Sequence, residues 1–313
     1  MAKNWLKKVI LQKIEATEGT DAAPVVGTDA IQVINYQPNF ISTDAKTRAI
    51  EYPYLGSRPV VMAGFRRGCT FSVEIAGGGT ATTVPPWMKL NRIAGWDAGT
   101  VGGSNVVQLP VSTIVSATHW AYVDNLLMKT VGARASMSIV FEDDEFPVFN
   151  YTVLGRSDTV LGADSTPGTP TLTGWQTPVL ASTENTTFLL DTFALPLRRL
   201  ELNSNGDLAF RSLIGPQDRV MLRDRPWSGS IVAEVPDVAS KDYFTKMRPG
   251  TTMALSLTHG TTAGNIVAFA APKVQITGDI ALSEEQGIAM MTMPVTLLPN
   301  STAGNDELTI TSS

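Results

Sequence analysis

Residues 136–154 read SMSIVFEDDEFPVFNYTVL. Two runs rich in β-branched and aromatic residues, 136–141 and 147–154, flank the acidic stretch Glu142-Asp143-Asp144-Glu145, a pattern that predicts strand, solvated turn, strand. Working outward, similar short runs recur at 71–75, 231–235 and 290–298, each punctuated by Gly, Pro, Asn or Asp. Helical periodicity shows only at 86–94 and 240–247, opened by a proline and a serine respectively. The chain is therefore predicted to be mainly β and antiparallel, with one short helix in each half.

A chain of 313 residues is long for one domain, since a typical domain has roughly 150 residues. Between 162 and 187 the chain reads GADSTPGTPTLTGWQTPVLASTENTT. Pro, Gly, Ser and Thr at that density disfavour both helix and central strand, which predicts a semi-extended linker between two units. The units share an order of landmarks. Arg48, Leu55-Gly56, Arg66, Glu74 and Trp87 are followed in the second half by Arg211, Ile214-Gly215, Arg225, Glu234 and Tyr243-Phe244. Eighteen positions separate Gly56 from Glu74 and nineteen separate Gly215 from Glu234. We read this as a diverged duplication: an N-terminal arm at 1–29, a first unit at 30–161, the linker at 162–187, a second unit at 188–298 and a C-terminal arm at 299–313. Both arms, rich in small and polar residues, are expected to be mobile in a single subunit and to order on assembly.

The composition narrows the function. Charged residues make up 17% of the chain, below the roughly 25% of an average soluble domain, so much of the surface is expected to be covered by partners. The net charge of −5 lacks the basic footprint of a protein that grips nucleic acid. Cys69 is the single cysteine, which removes an intrachain disulfide and fits a reducing compartment. Lys3, Lys7, Lys8 and Lys13 break up the apolar residues of the first turn of sequence, so no export signal is expected, and no apolar run reaches the roughly 20 residues that span a bilayer.

Searching for chemistry nominates nothing. His119 and His259 have no second ligand at metal spacing and are read as hydrogen-bonded rings at strand ends or turns. Cys69, between Gly68 and Thr70, reads as a small buried hydrophobe in a strand. No G-x-S-x-G elbow occurs, and Gly77-Gly78-Gly79 and Gly102-Gly103 lack the Lys and Ser/Thr of a phosphate cradle, so they read as loop tips. The acidic run at 142–145 lacks the alternation and turn glycine of a calcium loop. Trp5, Trp87, Trp96, Trp120, Trp175 and Trp227 are scattered, as core residues would be, rather than grouped as a sugar platform. No catalytic, cofactor-binding or metal-binding residue is assigned, no cofactor is expected, and the chain is read as a non-enzyme.

Several stretches of the second half, LIGPQDRVMLRDRPWSG at 213–229, TTMALSLTHGTTAGN at 251–265, APKVQI at 271–276 and GIAMMTMPVTLLPNSTAGNDELTI at 287–310, resemble the major tail tube proteins of phages with long, non-contractile tails. KIEATEGTDAAPVVGTDAI at 13–31 is similar to the opening of the same family. The resemblance implies two tandem tail-tube-like β-sandwich modules, each with one short α-helix, whose strands join an inter-subunit β-barrel in an assembled ring. It further implies a virion location and self-association into stacked rings that form a conduit for DNA. The implied partners are a tape measure protein, a tail terminator and distal tail or baseplate proteins, with DNA passing unbound and no membrane. If six modules close a ring, three chains of two modules complete it. The alternatives are a non-catalytic β-sandwich binding or decoration module, and a β-sandwich glycan hydrolase.

Overall fold

The computed structural model of the chain describes residues 2–158, 162–214 and 218–313. Residue 161, the predicted end of the first unit, and Gly215, matched above to Gly56, lie outside them. The strands expected from sequence are present to within a residue: 71–75 overlaps the end of the strand Val60–Glu74, 136–141 lies in Leu126–Glu142, and 147–154 overlaps Val148–Ser157. In the second half, 231–235 falls in Ser228–Glu234 and 290–298 in Ile288–Leu297. The helices are a single turn each, Met88–Asn91, continued by a 3-10 turn at Arg92–Ala94, and Tyr243–Met247. The second opens at Asp242 rather than Ser240, because the Asp242 carboxylate accepts the Thr245 amide at 2.9 Å and satisfies an otherwise orphan donor.

Each half lays its strands down in the same hydrogen-bonded order. In the first it runs Ile34–Thr47, Val60–Glu74, Val148–Ser157, Leu126–Glu142, Ala117–Val123, Lys8–Ile14, every pair antiparallel. In the second it runs Leu197–Asn203, Ser228–Glu234, Ile288–Leu297, Val267–Ile276, Met253–His259, Thr186–Leu190, again antiparallel. The correspondence extends to irregularities. A register shift between Ala117 and His119 in one half sits where a shift between Met253 and Leu255 sits in the other. Leu126, paired with Val123, takes Asp164 on its other side, and Val267, paired with His259, takes Ser312.

The halves are also joined. Residues 138–142 pair with 199–203, from Ser138 opposite Asn203 to Glu142 opposite Arg199, so one antiparallel sheet of 18 strands runs through both halves among the described residues. Alternating side chains on these strands bury into one core. Phe141 and Phe149 of the first half pack against Phe269 of the second at 5.4 and 6.1 Å between ring centres, and Trp96 meets Trp227 edge-on at 5.9 Å. The large antiparallel sheet closing on a shared core is consistent with a β-sandwich.

Both predicted arms contribute strands inside this single chain. Lys8–Ile14 pairs with Ala117–Val123 and buries Ile10 and Leu11, while Thr309–Ser312 lies between 267–270 and 106–108. Glu15 fixes the turn that follows the first of these. Its buried carboxylate accepts the Gly19 amide at 2.7 Å, the Ser116 hydroxyl at 2.6 Å, the Thr118 hydroxyl at 2.9 Å and the Gly132 amide at 2.8 Å. Removing that acceptor strands four donors. Glu15→Ala is therefore expected to destabilise the subunit by about 2–4 kcal/mol, and to make residues 15–23 the first site of proteolysis. A wild-type denaturation midpoint in the variant counts against the assignment.

Gly77-Gly78-Gly79, expected as a free loop tip, is instead a point of close backbone approach. A Cβ on Gly77 would lie 2.2 Å from the Gly264 carbonyl oxygen, and one on Gly264 would lie 2.5 Å from the Gly79 carbonyl oxygen. The Gly79 amide donates to the Gly264 carbonyl at 2.8 Å and the Gly77 amide to the Asn265 side chain at 2.7 Å. Glycine is needed at Gly77 for lack of volume, and at Gly79 and Gly264 also for their left-handed φ of +87° and +85°.

Candidate assembly surface

The strands Ile34–Thr47 and Val60–Glu74 form one long hairpin, but Val148–Ser157 covers only 66–74 of it. Beyond residue 66 the hairpin continues as a two-stranded ribbon with no third strand among the described residues, and such a ribbon alone is marginal in water. Besides an Arg66–Asp44 ion pair at 3.0 Å it carries uncovered apolar side chains. Phe40, Val60, Val61, Met62 and Phe65 are exposed, and at the tip Tyr54 and Leu55 stand in solvent, Tyr54 stacked on Tyr52 at 5.0 Å. The outer edge of Ile34–Thr47 pairs with no other strand among the described residues. Open edges and apolar exposure on this scale are what soluble monomers avoid.

The second half has the equivalent ribbon, Leu208–Arg211 paired with Arg219–Leu222, and here the ribbon is covered. Val220 is fully buried, and its carbonyl accepts from the Arg134 guanidinium of the first half. Arg66 lies over the Phe210 ring at 5.7 Å, and the Gly206 amide donates to the Ser136 hydroxyl at 3.0 Å. The tip again carries apolar residues, with Leu213 and Ile214 exposed.

A second open edge belongs to Ala281–Glu285. This strand pairs on one side with Ile288–Leu297 and on the other with nothing among the described residues. Leu282 and Ile288 are exposed on it.

Residues with potential chemistry sit elsewhere. His119 lies in the middle of Ala117–Val123, not at a strand end, and packs in a triangle of rings with Tyr36 and Phe71, its Nε2 3.7 Å from the Cys69 Sγ. A thiol beside an imidazole invites comparison with a nucleophilic dyad. Burial pushes the Cys69 thiol up to about 12 and pulls the His119 ring down to about 4, so both groups are neutral and neither activates the other. His259, at the end of its strand as expected, exchanges a hydrogen bond with the Thr186 hydroxyl at 2.9 Å, and burial lowers its pKa as well. The acidic run forms the turn between its two strands, with Asp144 at a φ of +61° and Arg198 and Arg199 facing Asp143 and Glu142 at 4.0 and 3.6 Å. No group of three or more His, Cys, Asp or Glu comes together among the described residues. Trp87, Trp96 and Trp227 are core residues, whereas Trp5 is exposed beneath the Lys8 ammonium at 4.4 Å.

The feature that sequence reasoning missed is this pair of open edges. Its signal was present as exposed-face apolar residues in 60–65 and at 282 and 288, but strand runs of that kind read the same whether they are covered or not. No helix of the described residues is long and apolar enough to cross a membrane. No family model matches the chain, and no curated protein matches it.

Proposed function

We propose that this protein is a non-catalytic structural subunit that closes into rings and stacks into a tube, the tail tube of a long-tailed phage, through which DNA passes into the host. The observation that carries the reading is the repeated strand order, which ends in an uncovered ribbon and an uncovered strand edge. Two tandem copies of one β-sandwich module, each offering a ribbon, make a unit that propagates head to tail, and a closed circle removes every free edge. The net charge of −5 suits a channel for DNA, since acidic walls repel phosphate. A tape measure protein, a tail terminator and distal tail proteins are the partners such a tube requires.

Three chains complete one ring, with pseudo-sixfold appearance and true threefold symmetry, because two similar but non-identical modules alternate. Linking modules in pairs also makes half of the junctions intramolecular and lowers the entropic penalty of closure. Electron microscopy of purified protein is expected to show rings or tubes, and mass per unit length to give three chains per ring. Six chains per ring refutes the trimer and makes the first half a decoration of the wall. Discrete monomers at every concentration favour the binding-module alternative instead.

A further inference from the structure

The junction inside the chain supplies a template for one between chains. In the first half a row of cross-strand neighbours runs Val73, Phe149, Ile139 and continues across the junction to Leu202. Ile139 and Leu202 are both fully buried there. The corresponding row of the second half runs Ala233, Met291, Leu282 and stops. Leu282, which stands where Ile139 stands, is 64% exposed. One half thus has an acceptor edge filled by the second ribbon's strand, and the other half has the same edge empty.

The chain also carries a spare donor. Leu202 lies opposite Gly229, and the matching place in the first hairpin is Pro38 opposite Cys69. In the same frame Glu201 opposite Ser230 matches Gln37 opposite Thr70, and Asn203 opposite Ser228 matches Asn39 opposite Gly68. The strand holding Gln37, Pro38 and Asn39 is the one whose outer edge pairs with no other strand among the described residues; next to it the Tyr36 carbonyl accepts the Lys8 ammonium at 3.1 Å.

We infer that residues 281–283 of one chain pair antiparallel with residues 37–39 of a second copy, with Asn39 opposite Ala281 and Gln37 opposite Ser283. The pairing repeats between chains the contact that 138–140 makes with 201–203 within one, and it lays the ribbon of the second copy over the neighbour's sheet as the 208–222 ribbon lies over the first half. The occupant is a second copy because the chain's own donor and acceptor are each other's missing counterparts. This inference rests on the assembly reading above but specifies the register, which that reading leaves open.

The test is cysteine cross-linking between copies. Asn39→Cys protein and Ala281→Cys protein are mixed under mild oxidation, so that only an intermolecular disulfide joins the introduced pair; native Cys69 is buried. Directly opposed strand residues lie within disulfide reach and residues displaced along the strand do not, so the expected yield of two-chain product is about tenfold that of Asn39→Cys mixed with Glu285→Cys. Leu282→Asp, at an exposed position, is expected to leave the folded subunit intact and abolish assembly. Rings or tubes that form without preferential cross-linking overturn the junction and leave the tube standing. Cross-linking without rings or tubes supports the junction and overturns the tube. Protein that neither cross-links nor associates overturns both.

Discussion

Leu202→Asp is expected to unfold the subunit or to destabilise it by about 4 kcal/mol or more, whereas Leu282→Asp is expected to change its stability by no more than about 0.5 kcal/mol. The two leucines occupy related places in two similar rows of strand neighbours, and the substitution is chemically identical. What differs is the environment. Leu202 is fully buried between Ile139 on one strand and Gly229 on the other, so its carboxylate would enter a core with no donor to receive it. Leu282 stands in solvent in the single chain. Denaturant midpoints of the two variants measure the contrast directly. Equal loss in both, or none in Leu202→Asp, would show that the sheet does not run continuously through the two halves.

The second large effect is a dependence on pH centred on His119. Burial holds the ring neutral in the folded chain, with its pKa pulled from 6.5 down to about 4. The unfolded chain takes up a proton near 6.5, so between that pH and about 4 the unfolded state binds more protons. Stability is therefore full above pH 6.5 and falls as the pH drops through this window, by about 3 kcal/mol from this residue. His259, whose pKa burial also lowers, acts in the same direction. His119→Phe keeps an aromatic ring against Tyr36 and Phe71 and removes a buried Nδ1 that has no hydrogen-bond partner among the described residues. The variant should lie within about 1 kcal/mol of wild type at pH 7 and lose much of its acid sensitivity. Stability profiles from pH 4 to 8 that superimpose would remove His119 as the cause.

Strand positions and the two helices were legible because their signals are local. The run at 147–154 alternates and is bounded by Pro147, and the helix at 86–94 follows paired prolines. The strand Lys8–Ile14 was not legible as part of the sheet. Lys8 and Lys13 sit at its less buried positions around Ile10 and Leu11, and its partner lies at 117–123, a pairing that no local pattern announces. Glu15 carried the opposite signal to its role, since an ionised carboxylate is ordinarily a surface group and only the donors at 19, 116, 118 and 132 make its burial tolerable. Glu74 and Glu234, matched as landmarks in the sequence, each end a strand. The open edges required knowing which strands end the sheet, a property of three-dimensional neighbours alone.

The contact between Gly77, Gly79 and Gly264 bears on geometric tolerance. A ring built from repeated joints multiplies the angular error of each joint by the number of joints, so a few degrees of play leaves a gap or a spiral. Side chains at a joint have alternative rotamers, and each rotamer is another angle. Where two backbones touch directly there is little to rotate: the Gly79 amide donates to the Gly264 carbonyl at 2.8 Å, and the Asn265 side chain accepts the Gly77 amide beside it at 2.7 Å. Three glycines thereby help to hold the two halves of the chain at one angle.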